Sequence, residues 1–320
     1  MIRLLFSSAG RRVELINCFR RAAHELEYDL EVITVDMDPS WSPACQVADY
    51  TYKVPRCNSP DFLKRVLGVC KKHHVDLIIP TIDNELIDYT KNRDLFLEHG
   101  TEILISSEDF VRMTRDKEMT ARLLKENGIP TPRTWTLRRA LNDLHSLNFP
   151  LFMKPRDGSC SDGVSIVESK DELIKKDVDK DIYILQELFK GKEYTVNCFY
   201  DRSQGCVCCV PHFRKFVRTG EVCFAETFRV PEFRRIADKL FKIFPGVYGC
   251  ICFQGFLDDI KHAILFEINA RFGGGYPICD RAGGTFAKWI LQNLCGEVPD
   301  YHDNWREGLR MLRYDSAVFI

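Results

Sequence analysis

Three polar side chains alternate along one predicted strand near residue 270. Glu267, Asn269 and Arg271 follow the apolar run 264–266 at every second position, so an extended backbone places all three on one face. Gln254 lies on the preceding predicted strand and adds an oxygen donor of the kind that Mg²⁺ accepts in proteins. A guanidinium beside such an ion would neutralise a phosphoryl group in transfer. The pattern predicts a magnesium and phosphate site, with a structural ion-pair cluster as the alternative.

A second candidate site begins where Lys154 ends a predicted strand. A polar loop between Gly158 and Gly163 follows it, contains Ser159 and Ser161, and leads into another strand. In a P-loop the lysine follows the glycines and opens a helix, so this stretch is not a P-loop. The N–H groups of such a loop can fold over phosphate oxygens as a movable flap. An ordinary hairpin loop is an equal alternative.

A third candidate site is the turn between two predicted strands near residue 190. Glu187 ends one strand, Leu188 and an apolar neighbour follow, and Glu193 opens the next strand. Free backbone groups in an apolar hinge suit the edge of an adenine, and a glutamate suits the ribose hydroxyls. A hairpin with solvated acids is the alternative, because exposed acids at turns are common.

The first strand-to-helix turn carries one glycine, Gly10, and Asp36 ends the second predicted strand. A dinucleotide-binding turn needs three glycines, each with its own steric role, so nicotinamide binding is disfavoured. A tight turn whose helix begins near an anion is the alternative.

Composition excludes several classes of protein. The formal net charge of −1 in 320 residues gives no basic footprint for nucleic acid, and no apolar run approaches the roughly 18 residues of a membrane helix. Many of the 14 cysteines lie inside apolar runs, which favours core packing in a reducing cytoplasm over a metal or redox site.

The order of predicted elements changes near residue 106. Before it, apolar strands alternate with helical stretches such as 86–97, a pattern typical of a doubly wound parallel α/β sheet. After it, one helix is predicted over 107–127, followed by several strands of alternating character. The second part is therefore expected to be α+β with a largely antiparallel sheet.

Taken in order, these features resemble the ATP-grasp superfamily. The matching residues are Asp116-Lys117, Met153-Lys154-Pro155 with its glycine loop, Gln186-Glu187-Leu188 with Glu193, and Gln254 with the stretch 267–271. The resemblance is strongest to one synthetase unit of the carbamoyl-phosphate synthase large subunit and to stand-alone carboxylate–amine ligases built like it. It spans nearly the whole chain and implies a pre-ATP-grasp domain over 1–106 and two subdomains over 107–188 and 189–320, the last with the metal site.

The resemblance also implies a role for each matching residue. Lys117 and Lys154 would contact the ATP phosphates, and the loop with Gly158, Ser159, Ser161 and Gly163 would cover them. Glu187 and the backbone of Leu188 would hold adenine, and Glu193 the ribose. Gln254, Glu267 and Asn269 would bind two Mg²⁺ ions, or Mn²⁺ in their place. Arg271, with Lys154, would act in catalysis.

The activity implied by the resemblance is an ATP- and Mg²⁺-dependent ligation of a carboxylate to an amine through an acyl phosphate. The chain holds one synthetase unit rather than two, and Ala270 replaces the synthase proline. A carbamoyl-phosphate-synthase-like enzyme and an ATP-binding regulator with weak turnover are the alternatives. Small-molecule substrates, no nucleic-acid or membrane partner, a homodimer and a cytoplasmic location are expected.

Overall fold

The computed structural model describes residues 1–158, 163–218, 220–258 and 262–320. The strands in this part of the chain are β1 (Ile2–Ser7), β2 (Leu30–Asp36), β3 (Tyr50–Lys53), β4 (Leu77–Pro80), β5 (Glu102–Ile103), β6 (Thr134–Thr136), β7 (Leu151–Pro155), β8 (Ser165–Val167), β9 (Tyr183–Glu187), β10 (Lys192–Asp201), β11 (Gly205–Arg218), β12 (Glu221–Thr227), β13 (Gly249–Leu257), β14 (Ala263–Asn269) and β15 (Arg310–Leu312). The α-helices are α1 (Val13–Glu25), α2 (Pro43–Gln46), α3 (Phe62–His73), α4 (Leu86–Lys91), α5 (Arg93–Leu97), α6 (Glu108–Arg115), α7 (Lys117–Glu126), α8 (Leu137–Asn142), α9 (Lys170–Ile174), α10 (Pro231–Ile243), α11 (Tyr276–Ala282) and α12 (Phe286–Leu294). A 3₁₀ turn covers Asp83–Glu85.

The first sheet is parallel and has the strand order β3-β2-β1-β4-β5. Its central strands consist mainly of buried apolar residues, as expected where helices cover both faces. The predicted doubly wound α/β sheet is confirmed. In its first turn, Oδ2 of Asp36 accepts a hydrogen bond from the N–H of Gly10 (2.8 Å), so this acid stabilises the turn.

Two antiparallel sheets follow. A four-stranded sheet has the order β6-β9-β7-β8, and a six-stranded sheet has the order β14-β13-β10-β11-β12-β15. The first antiparallel sheet carries the lysine strand β7 and the hinge strand β9, whereas β13 and β14 form one edge of the larger sheet. The expected α+β architecture is therefore confirmed.

The parallel sheet and the larger antiparallel sheet share one apolar core. Phe19 of α1 lies edge-on to Phe6 (centroids 5.4 Å apart) and to Phe272 (5.8 Å), which follows β14. Arg21 of α1 also donates to Asp280 of α11 (2.8 Å). These contacts hold the start of α1 beside the glycine stretch 273–275, and thereby bring the first sheet to the edge of the site.

Two predicted helices are each broken into two. The helix predicted over 107–127 ends at Arg115, and Asp116 caps a new helix by accepting hydrogen bonds from the N–H groups of Glu118 and Met119 (both 3.1 Å). The helix predicted over 86–97 is interrupted at Asn92, which makes no side-chain cap to the second helix; its Nδ2 donates instead to the carbonyl of Asp88 (2.9 Å). Apolar residues continue at helical spacing through both breaks, so the sequence pattern did not reveal them. Within the described ranges, no helix is long and apolar enough to cross a membrane.

Candidate active site

The alternating residues lie where β13 and β14 pair. Gln254 stands directly opposite Glu267, and Cys252 opposite Asn269, in an antiparallel register that shifts just after Gln254. Nδ2 of Asn269 donates to Oε1 of Glu267 (3.2 Å). The predicted grouping of three oxygen-bearing side chains on adjacent strands is therefore present in the structure.

Arg271 lies two residues beyond β14 and is held from three sides. Its Nη2 lies 2.6 Å from Oδ2 of Asp83 and 2.6 Å from Oδ1 of Asn269, and its Nη1 donates to the carbonyl of Phe272 (3.1 Å). Burial disfavours the charged guanidinium, but the Asp83 carboxylate outweighs it and raises the pKa of Arg271 above its ordinary value. Asp83, in the 3₁₀ turn that follows β4, was not predicted, since no motif marks it.

Lys154 is the penultimate residue of β7 and is buried, with 5% of its surface exposed. Its Nζ lies 5.5 Å from the ring centroid of Phe266 on β14. Burial lowers the pKa of Lys154 to about 8, Glu267 opposes this, and Lys117 adds to it. In the described part of the chain no carboxylate lies within ion-pair distance of this amine, so a bound anion would be strongly favoured here.

The break between α6 and α7 positions Lys117. Lys117 is the first residue of α7 and is buried, and its Nζ donates to the carbonyl of Gly158. Its N–H donates to the carbonyl of Arg156 (3.0 Å), whose guanidinium in turn pairs with Asp116 (Nε to Oδ1, 2.8 Å). The start of the glycine loop is thus fixed to the start of α7.

The structure describes only part of the glycine loop beyond Gly158. Gly163 has a left-handed backbone (φ +69°) that favours glycine, and the neighbouring Val164 lines the cavity described below. Ser159 and Ser161, predicted to cover phosphates, lie outside the described residues.

The predicted hinge lies at the end of β9. Oε2 of Glu187 accepts a hydrogen bond from the N–H of Arg133 (3.1 Å), so its side chain points toward the neighbouring strand. Glu193 forms an ion pair with Arg214 of β11 (Oε1 to Nε, 2.9 Å). Burial raises the pKa of Glu193, against the opposing effect of Arg214. Leu188, between the two acids, lines the cavity.

One cavity of about 410 Å³ joins these elements. The predicted residues on its wall are Lys117, Lys154, Gly158, Glu187, Leu188, Glu193, Gln254, Glu267, Asn269 and Arg271. Apolar walls come from Phe152, Phe256 and Phe266. Residues from both antiparallel sheets and from α7 therefore meet at one site, although Lys117 and Arg271 are more than 150 positions apart in sequence.

The cavity continues past Arg271 along residues that carried no recognised motif. Its wall there includes Arg12, Arg214 and Glu221. Nη2 of Arg12 donates to the carbonyl of Thr81 (3.2 Å), and burial together with the nearby Arg271 lowers the pKa of Arg12. The sequence feature that could have identified Arg12 is the pair of arginines that follows the first glycine, in the stretch 10–12.

The glycine stretch 273–275 forms the floor of this region. A methyl group added at Gly275 would lie 2.5 Å from Nε2 of His212, and one at Gly273 would lie 2.9 Å from Sγ of Cys252. Burial and the adjacent Arg214 lower the pKa of His212 to about 3, so its imidazole is neutral. Only a backbone without side chains fits between these groups and the cavity.

Two family models match consecutive parts of the chain. The N-terminal domain of PylC-like proteins matches residues 4–104, and the ATP-grasp domain matches residues 114–275, about half of the chain. The chain belongs to the ATP-grasp family. The ATP-grasp match includes the lysines, the hinge acids and the β13–β14 residues of the cavity.

Known proteins with this ATP-grasp fold include relatives of several activities. The carbamoyl phosphate synthase large chain of Methanothermobacter thermautotrophicus is 20% identical over 281 residues, which are 81% of this chain and 26% of the relative. The biotin carboxylase domain of the Hydrogenobacter thermophilus 2-oxoglutarate carboxylase, solved with MgADP, has a TM-score of 0.74 at 16% identity and covers 96% and 73% of the two chains. The L-amino acid ligase of Bacillus licheniformis has a TM-score of 0.70 at 16% identity, covering 93% and 75%. The chain thus spans about a quarter of the curated synthase it matches.

Proposed function

We propose that this protein is an ATP- and Mg²⁺-dependent ligase that joins a carboxylate to an amine through an acyl phosphate. The observation that carries the proposal is Lys154, a buried amine with a pKa of about 8, in the same cavity as the Gln254, Glu267 and Asn269 oxygens. A desolvated cation and magnesium-type oxygen ligands are the two features that a triphosphate requires.

The donor set fits a magnesium nucleotide. Carboxylate and amide oxygens on Glu267, Asn269 and Gln254 are hard ligands, and Mg²⁺ takes few protein ligands and completes its shell with water and phosphate. When bound, the metal ions neutralise phosphate charge. Lys154 and Lys117 would hold phosphate oxygens, and a second ion bridged by Glu267, or Mn²⁺ in place of Mg²⁺, is part of the proposal.

The opposite end of the cavity suits the nucleoside. Phe152, Phe256 and Phe266 provide apolar surface, and the backbone at Leu188 would contact the adenine edge, with Glu187 fixing the hinge through Arg133. Glu193 would hold the ribose. The glycine loop that contains Gly158, Ser159, Ser161 and Gly163 would close over the phosphates.

Arg271 would stabilise charge during transfer. A substrate carboxylate oxygen attacks the γ-phosphorus and ADP leaves, and an amine then attacks the acyl carbon and phosphate leaves. Developing negative charge lies on phosphoryl oxygens in the first step and on the acyl oxygen in the second. The fixed guanidinium of Arg271, held by Asp83, needs no reorganisation to meet that charge.

The relatives support the class of reaction and differ in substrate. The synthase, the carboxylase domain and the amino acid ligase named above are similar to this chain in fold and family. A carbamoyl-phosphate-synthase-like reaction is the second candidate, favoured by the alignment along most of the chain. The homodimer and the cytoplasmic location stay predictions.

The test separates the ligase from a nucleotide-binding regulator. The protein is incubated with ATP, Mg²⁺ and metabolite pools, and phosphate release and new amide-bearing masses are measured. Lys175→Met, an exposed lysine, is the matched control for Lys154→Met, which we expect to abolish ATP binding. ATP binding without any phosphate release in any pool would favour the regulator, and no ATP binding at all would reject the proposal.

A further inference from the structure

The cavity wall beyond Arg271 carries two opposite charges on either side of one glycine. A methyl group added at Gly274 would lie 3.4 Å from Nη1 of Arg12 and 3.4 Å from Oε1 of Glu221. Both side chains line the cavity. They come from distant parts of the fold, since Arg12 directly precedes α1 and Glu221 opens β12.

Within the described residues, Arg12 forms no direct ion pair with a carboxylate. Among the described residues no Asp or Glu oxygen lies within 4.0 Å of its guanidinium, whereas the neighbouring Arg271 is paired with Asp83. Among the described residues, Arg271 has a direct carboxylate partner in Asp83, whereas Glu221 acts on Arg12 only from a longer distance. A buried cation beside a like charge is stabilised by an incoming anion, and an arginine fork matches a carboxylate.

Glu221 has its second oxygen turned toward the cavity floor. Oε2 pairs with Nη1 of Arg313 (2.9 Å), which fixes the side chain, and Arg313 also donates to the carbonyl of Gly274. Oε1 is the atom that faces the Gly274 position. A carboxylate held in this way can accept a hydrogen bond from an ammonium group at the cavity side.

The separation of the two charges is compatible with an α-amino acid. Nη1 of Arg12 and Oε1 of Glu221 are each 3.4 Å from one point, so they lie within about 7 Å of each other, and they are farther apart than an ion pair at 4.0 Å. Charge-assisted hydrogen bonds of about 2.8 Å from each group leave room for a cation and an anion separated by one carbon atom. An α-amino acid has this arrangement.

We propose that Arg12 and Glu221 bind the α-carboxylate and the α-ammonium group of an amino-acid substrate. The inference rests on the proposed function, since it names the substrate class of that site. Gly274 lies between them. A side chain at this position would occupy the space of the ligand. The α-carboxylate on Arg12 and the ammonium on Glu221 fix the substrate by two charges of opposite sign.

The experiment measures amino-acid binding to the full chain in the presence of a non-hydrolysable ATP analogue and Mg²⁺. The probes are L- and D-α-amino acids, each compared with its carboxamide, which lacks the negative charge, and its N-acetyl derivative, which lacks the positive charge. Thermal shift identifies binders, and calorimetry gives their affinities. We expect a binding amino acid to lose about tenfold to hundredfold in affinity with either modification.

Variants assign the two charges to the two residues. Arg12→Met should remove the discrimination against the carboxamide while keeping that against the N-acetyl derivative, and Glu221→Gln should do the converse. Arg20→Met on α1, which follows Arg12, and Glu226→Gln on the same strand as Glu221 are controls outside the cavity lining, and both should keep both preferences. Analogue binding by every variant shows that each one folds.

Three outcomes overturn the inference. The first is that no amino acid binds although the ATP analogue does. The second is that Arg12→Met weakens the amino acid and its carboxamide equally, which indicates a structural role. The third is that both preferences survive in both variants. Failure of the wild-type protein to bind the analogue rejects the proposed function instead.

Discussion

Asp83 and Arg271 are 188 positions apart in sequence, and Oδ2 of one lies 2.6 Å from Nη2 of the other. Their side chains are 11% and 14% exposed. The turn that carries Asp83 is fixed by the buried Glu85, which accepts hydrogen bonds from Ser7 and Ser8 (both 2.7 Å) at the end of β1. The N-terminal sheet therefore orients the guanidinium that we assign to phosphoryl transfer.

Asp83→Asn tests this link. The variant keeps an acceptor of similar shape but removes the charge that holds Arg271, so we expect kcat to fall about tenfold to hundredfold while KM for ATP changes less than threefold. Steady-state kinetics of ADP formation measure both. Asp88→Asn, in the next helix, is the control. If KM for ATP rises by the factor expected for kcat while kcat stays unchanged, Asp83 has no role in positioning Arg271.

Lys154→Met should stabilise the ligand-free protein at neutral pH. The folded-state pKa of Lys154 lies near 8, below its ordinary value of 10.5, so between these pH values the unfolded chain binds the proton more tightly and wild-type stability rises with pH. Below pH 8 the buried charge costs about 3 kcal/mol, which the variant avoids. The stability difference should fade toward pH 10.5, and ATP binding should be lost throughout.

Denaturant unfolding of wild type and variant across pH 6 to about 10.5 measures this difference. Lys175→Met is the exposed control and should show no such pH dependence. If the variant is less stable than wild type at pH 7, neighbouring groups already stabilise the charged Lys154 amine in the ligand-free protein.

The sequence revealed the strands and the motif residues but not their environment. Period-two alternation was sufficient to place Glu267 and Asn269 on one face of a strand next to the strand of Gln254, but the register that sets Glu267 opposite Gln254 came from the structure. Asp83 and Glu221 lie in a 3₁₀ turn and at the start of a strand without a distinctive pattern. Their importance comes from contacts with residues that are distant in sequence, and a single sequence carries no information about such contacts.

The same reason explains the missed helix break at Asp116. Apolar residues continue at helical spacing on both sides, and the cap is recognisable only because Arg156, 40 positions away, pairs with the capping carboxylate. Tertiary contact thus determined where one helix ended and the next began.

Asp116→Asn should keep the helix cap, since Asn caps about as well as Asp, but should weaken the support of Lys117 by removing the charge that pairs with Arg156. Burial favours the neutral acid, but Arg156 and the capped N–H groups outweigh it and lower the pKa of Asp116, so its stabilisation is present above pH 3.8 and is lost as pH falls. We expect a loss of about 1 kcal/mol at pH 7 and weaker ATP binding.

Calorimetric titration of the ATP analogue and denaturant unfolding measure these two effects. Asp181→Asn is the matched control, because Asp181 forms an ion pair with Arg138 of similar geometry on the protein surface. If the two variants change ATP affinity equally, Asp116 has no specific role in nucleotide binding.

Gly275→Ala tests the glycine floor of the cavity. Its φ of −83° is accessible to alanine, so the strain comes from space alone: the added methyl group would lie 2.5 Å from the buried His212. We expect a loss of about 1–3 kcal/mol of stability and weaker amino-acid binding. Gly68→Ala, inside α3 with no atom within 4 Å of the added group, should instead stabilise by roughly 0.5–1 kcal/mol. The double variant Gly275→Ala, His212→Ala should recover stability, since the smaller side chain leaves room for the methyl group, and a double variant no more stable than Gly275→Ala would argue against contact with His212 as the cause.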